Sequence, residues 1–192
     1  MTRPPYCKGC ICEPSHPKYD PTQTGEFVPP SCVCPQHQGG PAMPGTPCEA
    51  TLLAVGMAPA GGEVAQGKPL AGPAGRKFEA AKTWAKQSLE GSAVPPGPVY
   101  TKKMNLCQCR TQRPGLSRDV VNRDPAKPEI RDCAQRFLAP ILQEPQLKAI
   151  QPMGQLVFRY LMSQGMKFNE SINARVKHPV RDALNTLLGD AQ

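Results

Sequence analysis

The sequence has few aromatic residues and no long hydrophobic run. Aromatic side chains make up 5% of the chain, which predicts a modest core built mainly from aliphatic residues. No apolar stretch reaches the roughly 18 residues that a membrane-spanning helix needs, so we expect no membrane partner. The first residues, MTRPPYCKGC, also lack the apolar segment of a secretory signal. These absences favour an intracellular, cytoplasmic protein.

Proline, glycine, cysteine and positive charge are abundant. The 24 prolines and 17 glycines predict long loops around the core. A formal net charge of +8 suits a polyanionic partner such as DNA, although charge alone does not separate this from a merely basic protein. Nine cysteines without a secretory signal favour metal or cluster binding over a disulfide framework.

The order of the predicted elements indicates an α/β fold. Residues 1–49 are a Cys/Pro-rich arm without regular periodicity, and residues 50–192 form the α/β domain. Strands are predicted over 50–56, 99–108 and 146–153, and helices over 74–90, 126–143 and 154–165. A final strand and helix are predicted within 172–189. This alternation predicts a three-layer α/β/α sandwich with a short, mostly parallel central sheet.

A glycine-rich loop follows the first predicted strand. Its sequence, GMAPAGGEVAQGKPLAGPAG, covers residues 56–75 and holds more glycine than a tight turn requires. This indicates that another group approaches the backbone closely. Ligands of parallel sheets bind at the carboxyl ends of the strands, where this loop and Asn105 both lie. The loop has neither a GxxxxGK[ST] nor a GxGxxG pattern, which argues against nucleotide hydrolysis and dinucleotide binding.

Several segments resemble, in the same order, motifs of the iron–sulfur uracil-DNA glycosylases of family four or five type. The glycine-rich loop is similar to G-E-A-P-G followed by Q-G-R-P-F-x-G-x-A-G. MNLCQCRTQRPG resembles T-N-x-x-K-C-R-P-P-G, and NRDPAKPEIRDCAQRFLAPIL resembles the helix N-R-x-P-x-x-x-E-I-x-x-C-x-x-x-L. QLKAIQPMGQLVFRYL resembles the next strand and its glycine-led helix. The match covers residues 50–165.

The resemblance implies hydrolysis of the N-glycosidic bond of uracil, or of another deaminated base, in single- or double-stranded DNA during base-excision repair. Asn105 and His178 match the catalytic positions, where they would read the base and support its departure. The positions matched to base binding are Gly56, Met57, Ala58, Pro59, Leu70 and Asn105. We expect a monomer.

The chain departs from the family at positions that matter for catalysis. Met57 replaces the glutamate that positions the water, although a related iron–sulfur branch reads G-L-A-P-A and is also apolar there. Leu70 replaces the stacking phenylalanine and removes its aromatic face. His178 matches either the family's H-P-S motif or the R-G-x-W-H segment before it, or it is a surface histidine that belongs to neither motif. The alternatives are therefore a catalytically inactive DNA-binding or assembly module with the same fold and cluster, or a zinc-stabilised interaction protein.

The resemblance also implies a [4Fe-4S] cluster. Its ligand positions match Cys7, Cys10, Cys109 and Cys133, with Cys12 and Cys107 as alternatives to the second and third of these. A zinc ion on the N-terminal CxxC motif is the alternative cofactor. Four further residues are left over, and their weak spacing favours free thiols over a second metal site: Cys32, Cys34, His37 and Cys48.

Overall fold

A computed structural model of the protein describes residues 26–89, 98–110 and 127–165, together with Ser15 and Pro17. The predicted strand and helix within 172–189 lie outside these ranges. The elements follow the order β1 (Ser31–Val33), β2 (Leu52–Gly56), α1 (Gly61–Gln66), α2 (Pro73–Leu89), β3 (Thr101–Asn105), α3 (Lys127–Leu142), β4 (Ala149–Pro152) and α4 (Gln155–Ser163).

The strands form one mostly parallel sheet, as the sequence predicts. Their order is β1-β3-β2-β4; β2 runs parallel to both β3 and β4, and β1 pairs with β3 in the antiparallel direction. In this register Gly56 lies opposite Asn105, so the carboxyl ends of β2 and β3 coincide. The glycine-rich loop therefore leaves the sheet beside the end of β3.

Helices cover both faces of the sheet, which confirms the three layers. Successive residues of a strand point to opposite faces, and the residues of β2 alternate in this way. Leu53 and Val55 belong to the larger core, with buried residues of α3 and α4: Ala134, Phe137, Leu138, Ile141, Val157 and Leu161. Ala54 packs instead with Phe78 of α2 and with Leu70. Among the described helices, none combines the length and apolar character needed to cross a bilayer.

Pro140 lies inside α3 without ending it. A proline beyond the first turn removes the hydrogen bond that its own N–H would have donated to the carbonyl four residues earlier, here that of Arg136. Phe137 and Ile141, on either side of it, are both buried in the core. The apolar face of α3 therefore holds its last turn against the sheet.

Two short elements were not predicted. β1 lies inside the supposed irregular arm and extends the sheet at the free edge of β3. Its three residues, SCV, are too few to show an alternating pattern. The six residues of α1, GGEVAQ, begin with two glycines, which oppose helix formation. In α1 the opposing propensity is offset by the Glu63 carboxylate, which accepts a hydrogen bond from the Ala60 N–H at 2.7 Å.

A buried ion pair anchors the centre of the sheet. Lys102 on β3 has no exposed surface, and its Nζ donates to Glu144 Oε2 at 2.7 Å. Glu144 follows α3 and is 13% exposed. The pair ties β3 to the chain that leads from α3 into β4. Lysines are mostly exposed in proteins, so the sequence did not indicate that Lys102 would be buried in an ion pair.

Candidate functional site

Three predicted site residues converge at the carboxyl edge of β2 and β3. A Cβ atom built on Gly56 would overlap Asn105 Oδ1 and would lie 2.9 Å from Leu70 Cδ2. Only glycine leaves room for both side chains at this point. The structure thus brings Gly56, Leu70 and Asn105 together, although they are distant in the sequence. We call this group, with the loop that connects it, the base edge.

Leu70 is held in an unusual backbone conformation. Its φ is +54°, in the left-handed region that side chains rarely adopt, and the residue is buried. Gly75 at the start of α2 supports it, because a Cβ atom at that position would overlap the Leu70 carbonyl oxygen. Such conformations persist only where the surroundings enforce them, and they concentrate at binding sites.

Glu63 is a buried member of the base edge that the sequence analysis missed. It is 6% exposed, and Oε1 accepts from the Leu70 N–H at 2.5 Å and from Asn105 Nδ2 at 3.3 Å. Burial raises the pKa of Glu63, while hydrogen bonds from Ala60, Leu70 and Asn105 oppose that rise. Its carboxylate joins the two site residues to α1. One feature of the sequence could have indicated this role. Glu63 is three residues after Ala60, and a glutamate at that spacing can accept a hydrogen bond from the backbone at the start of a helix.

Asn105 is fixed on both its side chain and its backbone. It is 1% exposed, its amide nitrogen donates to Glu63, and its carbonyl accepts from the side chain of Gln108. A primary amide carries both a donor and an acceptor, so it can form hydrogen bonds with a ligand that presents an acceptor and a donor side by side. The fixed orientation means that the Asn105 amide would need little reordering on binding a ligand.

The remaining predicted base-binding residues lie along the loop after β2. Ala58 and Pro59 are buried, and Met57 is half-buried against the larger core. The Met57 carbonyl accepts from the Cys107 N–H at 2.9 Å, which continues the pairing beyond Gly56. The Met57 side chain therefore serves packing, and a thioether cannot activate water. His178 lies outside the described residues.

Two of the predicted cluster ligands are buried near one another. Cys109 and Cys133 both belong to the larger core, and the backbone N–H of Gln108 donates to Cys133 Sγ at 3.1 Å. An N–H donor on sulfur is the kind of outer contact that thiolate ligands require. Cys107 is also buried, with its Sγ 3.4 Å from the Cys109 carbonyl oxygen. Cys7, Cys10 and Cys12 lie outside the described residues.

The four leftover residues, whose spacing favoured free thiols over a second metal site, form a compact group. The sulfur and nitrogen atoms of Cys32, Cys34, His37 and Cys48 all lie within 4.8 Å of one another. Cys34 Sγ is 3.1 Å from His37 Nδ1 and 3.9 Å from Cys48 Sγ, which in turn is 2.9 Å from Cys32 Sγ. The three thiols are not oxidised to disulfides. This group can hold a metal ion, and we call residues 32–48 the cysteine knuckle.

The thiols of the cysteine knuckle differ in acidity. Burial raises the pKa of Cys34, but hydrogen bonds from His37 and Cys32 outweigh it and bring the pKa to about 6. For Cys32, burial and the neighbouring Cys48 and Cys34 together raise the pKa well above its ordinary value. The group therefore presents one thiol that ionises readily beside another that resists ionisation.

Basic residues flank the base edge. Lys68 and Arg76 are exposed on the glycine-rich loop and on α2, respectively. Arg110 is only 9% exposed, and a Cβ atom on Gly61 would lie 3.5 Å from its guanidinium nitrogens. Lys68 and Arg76 can therefore contact a polyanion directly, whereas Arg110 lies against the start of α1.

Comparison with models of known protein families found no match, and comparison with curated proteins found none either. The argument for a function therefore rests on the sequence motifs and on the geometry of the base edge.

Proposed function

We propose that this protein is a uracil-DNA glycosylase that hydrolyses the N-glycosidic bond of uracil in DNA and so begins base-excision repair. The convergence of Gly56, Leu70 and Asn105, braced by buried Glu63, is the observation that supports this most strongly. These residues meet at the carboxyl end of parallel strands, where ligands of such sheets bind. The family resemblance had matched each of them separately to a base-binding position.

In the proposed reaction, the extruded base meets the loop after β2 and the carboxamide of Asn105, which occupies the space that the missing side chain of Gly56 leaves. The bond between C1′ of the sugar and N1 of uracil breaks, and its electron pair leaves with the base. A water oxygen bonds to C1′ and loses a proton, and the uracil anion takes up a proton to leave as neutral uracil. Asn105 stabilises the negative charge that develops on the base, and Glu63 holds that amide in place. His178 is the proposed second contact to the departing uracil.

The proposed site lacks a carboxylate at the position that activates water in the family. Met57 offers no carboxylate, and its side chain packs against the core. Catalysis must therefore depend on stabilising the departing base more than on activating the nucleophile, so we expect slow turnover. Leu70 supplies an aliphatic contact to the base, without the stacking energy of an aromatic ring.

DNA is the proposed partner, and Lys68 and Arg76 are the proposed phosphate contacts. Both are exposed beside the base edge, and the chain carries a formal net charge of +8. Contacts of this kind release counterions and make affinity fall with salt. A DNA substrate also implies an intracellular location.

The proposed cofactor is a [4Fe-4S] cluster bound by Cys7, Cys10, Cys109 and Cys133. The burial of Cys109 and Cys133 and the N–H donor on Cys133 Sγ fit thiolate ligation. When bound, such a cluster would cross-link the N-terminal residues to the core, which is a structural contribution. Zinc on the same cysteines is the alternative.

A non-catalytic DNA-binding or assembly module is the second candidate function. The near-complete burial of Asn105, at 1% exposed, favours it, because the amide already has a partner in Glu63. The packing of Met57 into the core points the same way. In such a module the base edge would be a structural remnant of the fold.

A uracil-excision assay separates the two candidates. Single- and double-stranded oligonucleotides with one uracil are incubated with the full-length protein, and abasic sites are cleaved with alkali. The glycosylase proposal predicts slow cleavage at the uracil position alone, with none in a matched thymine oligonucleotide. A Met57→Glu variant is expected to cleave faster, because it restores a carboxylate. If wild type and Met57→Glu both bind the uracil oligonucleotide and leave it intact, the enzyme proposal is wrong and the binding module replaces it.

A further inference from the structure

We propose that Cys32, Cys34, His37 and Cys48 bind one Zn²⁺ ion in a closed, structural site separate from the proposed iron–sulfur cluster. Three thiols and one imidazole are a donor set typical of structural zinc. The site is independent of the glycosylase proposal, because it lies in the cysteine knuckle and involves none of the base-edge residues.

The spacing of the donor atoms suits one ion. In a tetrahedral site with zinc–sulfur bonds of about 2.3 Å, the ligand atoms lie about 3.8 Å apart. The Cys34 and Cys48 sulfurs are 3.9 Å apart, and all four donor atoms lie within 4.8 Å. The Cys32 and Cys48 sulfurs are 2.9 Å apart and would have to separate by about 0.9 Å around an ion. A cubane cluster, whose four irons each take one protein ligand, would hold those ligands farther apart than a single ion does.

The backbone of the cysteine knuckle is built to present these donors. The Cys34 carbonyl accepts from the N–H groups of His37 and Gln38 at 3.1 and 2.8 Å, and the Cys32 carbonyl accepts from Gly39 at 2.7 Å. Gln38 and Gly39 both have positive φ, which closes the turn tightly. Cys32, Cys34 and His37 thereby point to one place, and Cys48 closes the site from the returning chain.

The three thiols belong to a small apolar cluster. Cys32 is fully buried, and Cys34 and Cys48 are almost so. Among the residues that the structure describes, Ala42, Ala50 and Tyr100 complete the same cluster. So small a cluster provides little hydrophobic stabilisation for the arm. A metal ion would supply what the packing lacks, since structural zinc sites contribute folding free energy directly.

The zinc site would connect the arm to the rest of the protein. β1 carries Cys32 and pairs with β3, and Gln146 Nε2 donates to the Cys48 carbonyl at 2.5 Å. On its outer side, a Cβ atom on Gly39 would lie 3.7 Å from Lys68 Nζ. The ion would therefore fix both the edge strand and the turn beside an exposed lysine of the glycine-rich loop.

Metal analysis of full-length protein purified without oxygen tests the proposal. We expect about one zinc per chain, retained on gel filtration, in addition to any iron. Cys34→Ser and Cys48→Ser should each lose the zinc while any iron remains. Cys133→Ser is the matched control, because it should lose iron and keep zinc.

Cobalt substitution keeps the test informative where a variant fails to fold. Zinc is removed from the wild type and replaced with Co²⁺, which should give the intense visible bands of a tetrahedral thiolate site. His37→Cys should still bind Co²⁺, with the bands shifted by the change from nitrogen to sulfur. Absence of zinc and of tetrahedral cobalt bands would overturn the proposal. So would a Cys32–Cys48 disulfide in protein purified without oxygen.

Discussion

The base edge and the cysteine knuckle lie at different edges of one sheet and are constructed in opposite ways. The base edge joins distant residues, Gly56, Glu63, Leu70 and Asn105, through buried hydrogen bonds and close backbone contacts. The cysteine knuckle gathers its donors from one short segment, and a tight turn does most of the positioning.

This difference shows where each region obtains its stability. The base edge depends on interior packing, so substitutions there should act through steric overlap and lost hydrogen bonds. The knuckle has little apolar surface and should depend on a bound ion. β3 belongs to both regions, because β1 pairs with one side of it and β2 with the other.

The largest expected effect comes from disrupting β3, the strand that the two regions share. Lys102→Ala would leave Glu144 without its buried partner and open a cavity, at a cost of about 3–5 kcal/mol in the free energy of unfolding. Chemical denaturation of metal-loaded protein measures this. The double variant Lys102→Met, Glu144→Leu is the matched control and should recover most of the loss. A loss below about 1 kcal/mol in Lys102→Ala would show that the pair does not anchor β3.

A smaller effect should be confined to the base edge. Gly75→Ala places a methyl group against the Leu70 carbonyl, which is backbone and cannot turn aside. We expect a loss of about 1–3 kcal/mol in the free energy of unfolding, with zinc content unchanged. Gly72→Ala is the control, because nothing lies within 4 Å of its added Cβ atom. Equal stability of the two variants would refute the proposed close contact.

Glu63→Gln should change how stability varies with pH. The folded-state pKa of Glu63 is raised above the ordinary 4.5, so its stabilising contribution is fully present below pH 4.5 and falls as pH rises through the higher value. The variant does not titrate at this position. It also loses one hydrogen-bond acceptor, which should lower the free energy of unfolding by about 1–3 kcal/mol. We therefore expect the difference in unfolding free energy, wild type minus variant, to decrease from pH 4.5 upward.

Urea titrations at several pH values provide this measurement. Glu49→Gln is a suitable control, because Glu49 is exposed and the substitution should leave stability nearly unchanged. A Glu63→Gln difference that rises with pH would contradict the assigned direction of the pKa shift.

The smallest expected effect concerns DNA affinity. Replacing Lys68 or Arg76 with glutamine should remove at most one phosphate contact each. The slope of log affinity against log salt should then change by about 0.7–0.9 per contact. Fluorescence anisotropy with a labelled oligonucleotide measures this, and Lys148→Gln, distant in sequence from the base edge, is the control. Unchanged slopes in both variants would remove these residues from the proposed interface.

Sequence patterns predicted the layers of the fold but not the contacts that build the sites. Apolar runs located β2 and the helices α2 to α4, because burial on a regular face leaves a periodic trace. β1 was missed, since three residues give no period, and Lys102 and Glu63 were missed because burial of a charge depends on a partner distant in sequence. The spacing of Cys32, Cys34, His37 and Cys48 was too irregular to identify a site. Their convergence depends on the turn at Gln38 and Gly39 and on the return of the chain to Cys48.

The central claim is that the base edge reads a base through Asn105, and one comparison tests it most directly. Uracil release from a single-stranded oligonucleotide is measured for wild type and for Asn105→Ala, with zinc content and DNA affinity determined for both proteins. We predict a loss of at least about a hundredfold in the rate, because a preorganised donor is removed, while zinc content and DNA affinity stay close to wild type. Release by Asn105→Ala at the wild-type rate would contradict the account.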